Sequence, residues 1–397
     1  MEANDHRRIA RALRLCHFQD EAPGMAFWHP RGFLLYRLLE DAARRLLAKD
    51  GYQEVRTPQV MRMPIWAASG HWENFPEGMM RMEAEPSRQA ALKPVSCPGH
   101  IQIVANQRLS YRELPLRLAE FGLVHRDEPS GSLHGLMRLR QFTQDDGHIF
   151  CAEDQILAEV SRFCASVVSF YRHFGFENVQ VALASRPAER FGDDARWDQA
   201  EAVLAQGAEA AGLKWHLHEG EGAFYGPKLE FSLEDREGRS WQCGTIQLDF
   251  VMPDRFGLEY IDEEDQRRAP ALLHRAVYGS LERFMGILLE HHAGRLPLWL
   301  SPEQIRVLPI GEDHQDYAHE VSKALVAAGL RASVDAGADR VGKRVAEAHE
   351  AAVPLVIVVG GRERDARSIS VRLDNKSQSM SLADGLDHLV KLCAPPA

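Results

Sequence analysis

The segment between residues 110 and 142 most constrains the fold of this chain. Its first part leads into a strand around residues 121–124, and residues 127–135 are rich in Pro, Ser and Gly, which is typical of a loop. Residues 136–142 alternate between apolar and polar side chains, and this period of two predicts a returning strand. We therefore expect a strand, a long loop and a second strand.

Helical spacing of apolar residues predicts amphipathic helices elsewhere. Residues 33–48 have this spacing, and Gly51 is expected to end the helix. Residues 154–174 and 197–212 predict two more helices of the same kind. Residues 52–58 alternate and stop at Pro58, which favours a short strand.

The residue pattern changes at residues 294–302, which indicates a linker between domains. Beyond it, apolar strands at 305–308, 355–359 and 368–372 alternate with helical stretches at 317–328, 342–351 and 382–392. This pattern predicts a small α/β domain of about 100 residues. A length of 397 residues fits two or three domains, and we place their limits at 1–298 and 299–397.

Composition restricts the surroundings and partners of the chain. No apolar run approaches the roughly 20 residues that span a bilayer, and the polar start of the sequence, residues 1–15, is unlike a signal peptide. Both observations favour a cytoplasmic protein without a membrane partner. The net charge of −10 gives no support to a broadly basic nucleic-acid surface.

The sequence contains residues able to hold a metal ion. Cys97, His148 and His274 together would suit Zn²⁺ with one coordination position left open. Spacing alone does not select these three from 18 histidines and six cysteines. The cysteines are scattered without a CxxC pair, so buried, reduced thiols are the ordinary interpretation, and an isolated His is ordinarily a surface or core residue.

Two arginines are candidates for binding a polyphosphate. Arg126 ends the first strand of the strand–loop–strand segment, and Arg283 lies where a helix is expected to begin. The planar guanidinium binds phosphate oxygens in pairs and stays charged, although either residue alone is also typical of a protein surface. Neither GxxxxGK[ST] nor GxGxxG occurs, so any ATP would be held by a different scaffold.

Long strings of the sequence closely resemble threonyl-tRNA synthetases, which belong to class II. The resemblance runs from about Asp5 to the end and is densest between Cys97 and Gly286. The strings that carry it are Glu21-Ala-Pro-Gly-Met-Ala-Phe-Trp28, Phe121-Gly-Leu-Val-His-Arg-Asp-Glu-Pro-Ser-Gly-Ser-Leu-His-Gly135, Phe142-Thr-Gln-Asp-Asp146, Gly220-Glu-Gly-Ala-Phe-Tyr-Gly-Pro-Lys228 and Gln242-Cys-Gly-Thr-Ile-Gln-Leu-Asp249.

This resemblance implies an α+β fold and a set of partners. It implies a class II catalytic domain, with an antiparallel sheet flanked by helices, followed by a small α/β domain like those that bind anticodons. It further implies a homodimer, with the first class II motif near residues 52–58, the second around Arg126 and the third at residues 279–283. The implied ligands are ATP with Mg²⁺, L-threonine, Zn²⁺ and tRNA.

The resemblance also assigns roles to individual residues. It implies zinc ligands at Cys97, His148 and His274. It implies ATP binding by Arg126, Glu128, Phe142, Gln242, Thr245, Ser280 and Arg283. It implies threonine binding by Gln144, Asp146, Tyr225 and Gln247, with Asp146 near the substrate ammonium. It implies catalytic roles for Arg126, Arg283, Lys228 and His71, the last near the terminal ribose of tRNA.

Two features depart from the family. Its members usually carry an N-terminal editing domain, whereas this sequence starts at the catalytic domain, so we expect a form without that domain. Editing would then be supplied in trans, or it would be unnecessary because the product is not used in translation. A shortened form of a longer chain is the third alternative. In the C-terminal domain, Glu363 and Arg372 match the family. Small residues, Gly337, Ala338 and Ala346, stand where polar side chains usually face the anticodon. The alternative is that neighbouring basic residues replace those contacts, namely Arg340, Lys343 and Arg344.

Three functions follow from these expectations. The first is activation of threonine by ATP, with transfer to threonine tRNA. The second is a paralogue that makes the same adenylate but passes threonine to another acceptor, such as a carrier protein. The third is a non-catalytic sensor, which the complete set of arginines and metal ligands disfavours.

Overall fold

The computed structural model describes residues 4–82, 88–373 and 376–396. The chain divides into two compact units. One contains Phe18–Ala26 and Leu39–Ile287, and the other contains Met1–His17, Phe27–Leu38 and Leu288–Ala397. Within the described ranges, no helix is both long enough and apolar enough to cross a membrane.

The helices of the described residues are numbered here in chain order. They are α1 His6–Ala12, α2 Pro30–Lys49, α3 Met63–Ala68, α4 His71–Asn74, α5 Cys97–Ala105, α6 Ile156–Arg172, α7 Asp194–Ala210, α8 Met252–Arg255, α9 Leu281–His291, α10 Gln315–Ala327, α11 Val341–Glu350, α12 Gly361–Asp365 and α13 Leu382–Cys393. The predicted amphipathic helices correspond to α2, α6 and α7, and those of the C-terminal region to α10, α11 and α13.

A large sheet forms the centre of the first unit. In the part of the chain described, its strands are β1 Gln53–Glu54, β2 Leu116–His125, β3 Gln141–Cys151, β4 Val179–Ala184, β5 Trp215–His218, β6 Lys228–Glu234, β7 Ser240–Asp249 and β8 Ala271–Ala276. Their order across the sheet is β5-β4-β6-β7-β8-β3-β2-β1. Neighbours are antiparallel except at the two edges, where β4–β5 and β1–β2 are parallel. The predicted antiparallel sheet flanked by helices is confirmed, with parallel edge pairs in addition.

A second sheet lies in the other unit. Its strands, as far as the chain is described, are β9 Ile305–Pro309, β10 Ala332–Val334, β11 Leu355–Val359, β12 Ser368–Leu373 and β13 Lys376–Ser381. They follow the order β10-β9-β11-β12-β13, and apolar side chains such as Ile305, Ile357 and Ile369 form the core against α10 and α13. The predicted α/β architecture of this region is confirmed.

Short strands complete the secondary structure. They are Cys16–His17, Phe27–Trp28, Val60–Arg62, Arg81–Met82, Ala90–Leu92, Leu109–Ser110, Tyr260–Ile261 and Arg267–Arg268. Among the described residues, they form one two-stranded sheet and two three-stranded sheets outside the two larger ones.

The chain after α2 differs from the strand predicted at residues 52–58. Gly51 ends the helix as expected, with a positive φ of 76° that suits glycine. Only β1 pairs regularly with β2, and the backbone N–H of Val55 still donates to Ala119 at 2.8 Å. Two residues later the N–H of Thr57 donates to the Glu120 carboxylate at 2.9 Å instead. The strand therefore ends here because the Glu120 side chain, and not a backbone carbonyl of β2, accepts the hydrogen bond from Thr57.

The returning strand predicted at residues 136–142 begins later than expected. Leu136 and Met137 lie in a turn that an isolated bridge between His134 and Arg138 closes, and β3 starts at Gln141. Both turn residues are buried, at 1% and 6% exposure. The alternation therefore reflects a turn packed on the core, which a pattern of burial does not distinguish from a strand.

Aromatic packing holds the segment between β8 and α9 against the large sheet. The rings of Tyr278 and Phe284 lie 4.5 Å apart, and those of Phe174 and Phe284 lie 5.0 Å apart. The Tyr171 hydroxyl donates to the Val277 carbonyl at 2.5 Å. Such rings bury large apolar areas, so the start of α9 has a fixed position above the sheet.

Candidate active site

Strand register aligns four polar residues across the large sheet. Lys228 on β6 is paired with Gln247 on β7, which is paired with His274 on β8, which is paired with His148 on β3. Directly opposed residues of antiparallel strands project from the same face. The sheet therefore carries one continuous polar row over four strands.

Strand β3 extends this face along the chain. Phe142, Gln144, Asp146 and His148 follow one another at intervals of two in a regular strand. Side chains with that spacing share a face. One strand therefore supplies candidate residues for the nucleotide, the amino acid and the metal from a single side of the sheet.

The three expected zinc ligands are brought together. Cys97 Sγ lies 3.4 Å from His274 Nδ1, which lies 2.9 Å from His148 Nε2, and all three ligand atoms fall within 4.8 Å of one another. Ligands of a tetrahedral zinc ion lie about 3.3–3.6 Å apart, given bonds of about 2.0–2.3 Å. The donor types fit Zn²⁺, the distance from Cys97 to His274 lies within this range, and the distance from His274 to His148 is a few tenths of an ångström below it.

Burial favours the uncharged form of each of these three side chains. Burial lowers the pKa of His148 well below its ordinary value, helped by the nearby His100 and His274, and it also lowers the pKa of His274. Neutral imidazoles are the form that binds a metal. Burial raises the pKa of the Cys97 thiol, and Asp146 adds to this shift. A cation at the site would favour the thiolate.

Asp146 is the second feature of the pocket. Its carboxylate is 1% exposed, and within the described residues neither oxygen has a hydrogen-bond partner. Oδ1 lies 3.6 Å from His274 Nε2. A buried carboxylate without donors is costly, so the geometry calls for an external donor or cation. Beside it, Gly122 leaves no room for a side chain, since a Cβ there would lie 2.3 Å from Ser96 Oγ.

Tyr225 and Gln247 complete the group expected around an amino acid. Gln247 Nε2 donates to the Gly226 carbonyl at 3.0 Å, which ties β7 to the loop that carries Tyr225. Burial raises the pKa of the Tyr225 hydroxyl, as do Cys97 and Asp249, while Arg126 lowers it. The Tyr225 hydroxyl therefore lies close enough to Cys97 and to Arg126 for their charges to shift its pKa.

Arg126 faces the same pocket from the end of β2. Its Cζ lies 5.2 Å from the centre of the Phe142 ring, and its Nη2 lies 3.5 Å from Gln144 Oε1. Nε donates to the Pro94 carbonyl at 3.3 Å. Burial lowers the pKa of the guanidinium, and Asp146 opposes that shift. The side chain is therefore a partly desolvated cation, which strengthens its attraction for an anionic ligand.

His71, the first residue of α4, lies within the electrostatic reach of Arg126. It is 6% exposed, and its Nδ1 lies 2.9 Å from Ser69 Oγ. Burial lowers the pKa of His71 to about 4, and the charge of Arg126 contributes. The imidazole is therefore neutral at pH 7.

A β-bulge brings Gln242 onto the polar face. Glu230 is opposite Thr245, but the register then shifts, so that Ser232 is opposite Gln242. The extra residue on β7 shifts the alternation of side chains by one, so Gln242 rather than Cys243 faces the same side as Thr245. As a result, Gln242 Nε2 donates to Glu230 Oε1 at 2.9 Å, and Lys228 Nζ is 2.7 Å from the same oxygen. Lys228 and Gln242 line one open cleft.

Ser280 and Arg283 form the start of α9. The Ser280 hydroxyl donates to Glu282 at 3.1 Å and accepts the Arg283 N–H at 3.2 Å. The Arg283 guanidinium carbon lies 5.9 Å from the centre of the Trp241 ring on β7. Glu282 also accepts the Thr143 N–H at 2.9 Å, so this turn of helix is tied to β3.

Glu128 lies in the loop after β2 and holds that loop together. Its carboxylate accepts from Arg138 Nε at 2.8 Å, and its carbonyl accepts from Arg140 Nε at 2.8 Å. This pairing draws the loop back toward the start of β3.

Asp145 is a site-forming residue that the sequence analysis missed. Its carboxylate accepts the backbone N–H groups of Val277, Tyr278 and Gly279 at 2.6, 2.9 and 3.1 Å. Burial raises its pKa to about 6, although these bonds and Arg275 oppose the shift. The adjacent pair Asp145-Asp146 could have indicated this role. Neighbouring residues of a strand face opposite sides of the sheet, so one of the two carboxylates must point into the protein.

Glu363 and Arg372 belong to the C-terminal unit. The Glu363 carboxylate accepts the Gly360 N–H at 3.0 Å and so caps α12, and Arg372 is exposed on β12. The suggestion that Arg344 replaces a missing anticodon contact is wrong. That side chain is 2% exposed, and it donates to the carbonyls of Asp335, at 2.8 Å, and Pro309. Its guanidinium stabilises the fold of the unit.

Comparisons with known proteins identify the families to which the two regions belong. Residues 80–292 match the family described as "tRNA synthetase class II core domain (G, H, P, S and T)", and residues 304–392 match the family "Anticodon binding domain". The fold and site thus define a class II aminoacyl-tRNA synthetase core joined to an anticodon-binding domain.

Relatives and solved structures narrow the class. A threonine–tRNA ligase of Herminiimonas arsenicoxydans is 52% identical over 94% of this chain and 58% of its own length. One from Dichelobacter nodosus is 49% identical over 98% of this chain and 61% of its own length. The chain thus spans about three fifths of the length of these relatives. It belongs to the threonyl-tRNA synthetase family.

Two solved structures extend the comparison. The RNA-binding domain of threonyl-tRNA synthetase from Cryptosporidium parvum superposes with a TM-score of 0.93 at 37% identity, covering 99% of each chain. Prolyl-tRNA synthetase from the same organism has a TM-score of 0.74 at 17% identity, covering 98% of this chain and 74% of the other. At that identity the second likeness is one of fold alone.

Proposed function

We propose that this chain activates L-threonine with ATP to form threonyl-adenylate and transfers the threonyl group to threonine tRNA. The observation that carries the proposal is the single polar face of the sheet. There, Cys97 at the start of α5 comes together with His148 and His274 of the sheet. This group adjoins the Asp146 carboxylate, whose oxygens have no hydrogen-bond partner among the described residues. Cationic Arg126 borders the same pocket. The relatives at about 50% identity are named as threonine–tRNA ligases, and none of them favours transfer to a carrier protein.

The amino-acid pocket would recognise threonine through its two polar groups. Asp146 would accept a hydrogen bond from the substrate amino group, because its two oxygens lack donors in the described part of the chain. Cys97, His148 and His274 would hold Zn²⁺, which when bound supplies Lewis acidity toward an amine and a hydroxyl. Gln144, Tyr225 and Gln247 would form the remaining wall.

This arrangement predicts which amino acids the pocket accepts. Valine and threonine have nearly the same shape, and shape alone separates such pairs by about 10²-fold. Valine lacks the hydroxyl and would leave polar groups of the pocket unpaired, which costs about 1–3 kcal/mol for each buried group. Serine has the hydroxyl, so the pocket would reject serine only weakly.

Activation would depend on position and charge rather than on a general base. A threonine carboxylate oxygen attacks the α-phosphorus of ATP, and pyrophosphate leaves. Arg126 would neutralise charge at the α-phosphate and Arg283 would bind the γ-phosphate, with Mg²⁺ accompanying the nucleotide. Phe142 would stack on the adenine, and the remaining nucleotide contacts would come from Glu128, Lys228, Gln242, Thr245 and Ser280.

The second step would transfer threonine to the terminal ribose of tRNA. A ribose hydroxyl attacks the carbonyl carbon of the adenylate, and AMP leaves. His71 is neutral at pH 7, since burial lowers its pKa to about 4, and a neutral imidazole can accept a hydrogen bond from that hydroxyl.

We also propose the organisation in which this chemistry occurs. Residues 1–298 would form the catalytic domain and residues 299–397 the anticodon-binding domain, with Glu363 and Arg372 as tRNA contacts. The chain would act as a homodimer through the region near residues 52–58, close to the apolar Val60, which is 45% exposed. An enzyme of translation of this kind would work in the cytoplasm.

Two assays test the proposal in sequence. Threonine-dependent exchange of pyrophosphate into ATP should occur, should stop after zinc removal and should return when zinc is added. Labelled threonine should then appear on threonine tRNA. Exchange without any charging of tRNA at high protein concentration would contradict the second half of the proposal. A zinc-loaded chain without exchange would contradict the first.

A further inference from the structure

Behind the metal-competent group lies a buried chain of hydrogen bonds that the proposed reaction does not use. His148 Nδ1 lies 2.8 Å from His100 Nδ1, and His100 Nε2 lies 3.2 Å from Glu120 Oε2. Glu120 in turn accepts from Lys93 Nζ at 2.8 Å and from the Thr57 N–H at 2.9 Å. We call this set the His100 relay.

The relay is sealed from solvent. Lys93, His100 and His148 are 0% exposed, Glu120 is 3% exposed and Thr57 is 4% exposed. Lys93 Nζ also donates to Thr57 Oγ1 at 2.9 Å, and that hydroxyl donates to Glu120 at 2.8 Å. Each polar group of a buried network needs a partner, and here the carboxylate is compensated both by a cation and by neutral donors.

The relay matches the hydrogen-bond needs of a metal-bound His148. A His148 ring that binds a cation through Nε2, the atom 2.9 Å from His274 Nδ1, carries its proton on Nδ1. That N–H needs an acceptor, and His100 Nδ1 lies 2.8 Å away. His100 can then donate from Nε2 to Glu120, because a carboxylate only accepts hydrogen bonds.

Helix α5 provides both a candidate ligand and the relay histidine. Cys97 and His100 are three residues apart and therefore lie on the same side of the helix. Between them, Gly99 allows close contact, because a Cβ there would lie 2.8 Å from the Thr57 side chain. The helix start and the relay are thus packed against the segment before β2.

We propose that His100 is a positioning residue for the metal site, which acts through its hydrogen bond to His148. It fixes the tautomer and the orientation of His148, so that Nε2 is presented to the cation. This inference rests on the proposed zinc site. Outer partners of metal-binding histidines commonly change metal affinity by about 10–100-fold.

Two matched variants separate positioning from simple packing. In His100→Asn, the amide oxygen can occupy the place of Nδ1 and accept from His148, while the bond to Glu120 is lost. In His100→Gln, the amide can keep the bond to Glu120, while no acceptor remains for His148. His125→Leu is the control, because His125 is a buried histidine on β2 whose side chain contacts Gln141 instead.

The experiment measures zinc binding by the full chain in competition with a chromophoric chelator, together with the visible spectrum of the Co²⁺-loaded protein. His100→Gln should bind zinc about 10–100-fold more weakly than the unmodified chain and should alter the cobalt bands. His100→Asn and His125→Leu should keep an affinity and a spectrum close to those of the unmodified chain. Circular dichroism of the metal-free proteins checks that each variant folds.

Other outcomes would overturn the inference. Equal affinities for His100→Gln and the unmodified chain would mean that His148 needs no acceptor. Equal losses in His100→Gln and His100→Asn would assign the relay a packing role alone. An unmodified chain that binds no zinc would instead overturn the proposed metal site, on which this inference depends.

Discussion

At the scale of the residue, Asp146 is the side chain whose surroundings best suit a bound ligand. Its carboxylate is buried, and among the described residues its oxygens have no hydrogen-bond donor. A group that contributes no hydrogen bonds to its own fold can be changed with little effect on stability. Asp146 therefore allows recognition of the substrate to be tested apart from folding.

We expect Asp146→Asn to lower kcat/KM for threonine in the exchange reaction by about 10–100-fold. The reason is the loss of a charge-assisted hydrogen bond, worth about 1.5–3 kcal/mol. The melting temperature should change little. Steady-state exchange kinetics and thermal unfolding measure the two effects. An unchanged kcat/KM in the variant would show that Asp146 does not contact the substrate.

Asp249 gives the chain a pH dependence of stability. Burial raises the pKa of this carboxyl to about 7, although the N–H groups of Val251 and Met252 oppose the shift. Because the folded pKa lies above the unfolded one, the folded state keeps its proton longer as the pH rises. The free energy of unfolding should therefore decrease between about pH 4 and pH 7, with a slope of at most about 1.4 kcal/mol per pH unit from this group.

The variant Asp249→Asn should remove this contribution. Its amide oxygen can still accept from Val251 and Met252, which donate to Asp249 Oδ1 at 2.8 and 2.9 Å. Urea unfolding of both proteins at a series of pH values measures the difference. A stability difference that stays constant from pH 4 to pH 8 would contradict the assigned shift.

At the scale of the element, the beginning of α9 depends on Asp145. This carboxylate accepts three consecutive backbone N–H groups from Val277 to Gly279. The positions of Ser280 and Arg283 follow from those contacts. Asp145 therefore connects the stability of a loop to the proposed binding of ATP.

We expect Asp145→Asn to destabilise the chain by about 1–3 kcal/mol, because one carboxylate oxygen would become an NH2 group that faces a backbone donor. The KM for ATP should rise while the KM for threonine changes less. Urea unfolding and exchange kinetics measure these effects. Equal increases in both KM values would show that the change is not confined to the α9 end of the site.

The sequence predicted elements best where one face of a helix is buried. The apolar spacing of residues 33–48 and 154–174 matches α2 and α6 closely, because burial on one side dictates that spacing. The strand prediction failed for residues 136–140, where a turn is buried as deeply as a strand. It missed β13, whose residues Lys376–Ser381 are nearly all exposed and therefore carry no apolar signal.

The site was less accessible to sequence reasoning than the fold. The interval of two between Gln144, Asp146 and His148 is visible in the sequence, but its meaning depends on the strand that starts at Gln141. The approach of Cys97, His148 and His274 depends on the register of β3 with β8 and on the start of α5. No pattern within one segment contains that information, so the resemblance to a family supplied the grouping.

At the scale of the whole molecule, two arginines of the C-terminal unit allow the proposed tRNA contact to be tested apart from folding. Arg344 is buried and donates to backbone carbonyls, whereas Arg372 is exposed. The first should act on stability and the second on tRNA. Adenylate formation should not require either side chain.

We expect Arg372→Ala to reduce kcat/KM for tRNA charging by about 5–150-fold, equivalent to about 1–3 kcal/mol, with unchanged pyrophosphate exchange. Arg344→Ala should instead lower the free energy of unfolding by about 2–3 kcal/mol, because buried carbonyls lose their donor. Charging assays and urea unfolding distinguish the two. Normal charging by a folded Arg372→Ala protein would contradict the assigned contact.

The central claim is that threonine is activated in a pocket that recognises its hydroxyl. The most direct measurement is the ratio of kcat/KM for threonine to that for valine in pyrophosphate exchange by the zinc-loaded chain. A pocket that binds the hydroxyl predicts a ratio well above the roughly 10² available from shape, approaching about 10⁴. A ratio near 10² or below would contradict the account.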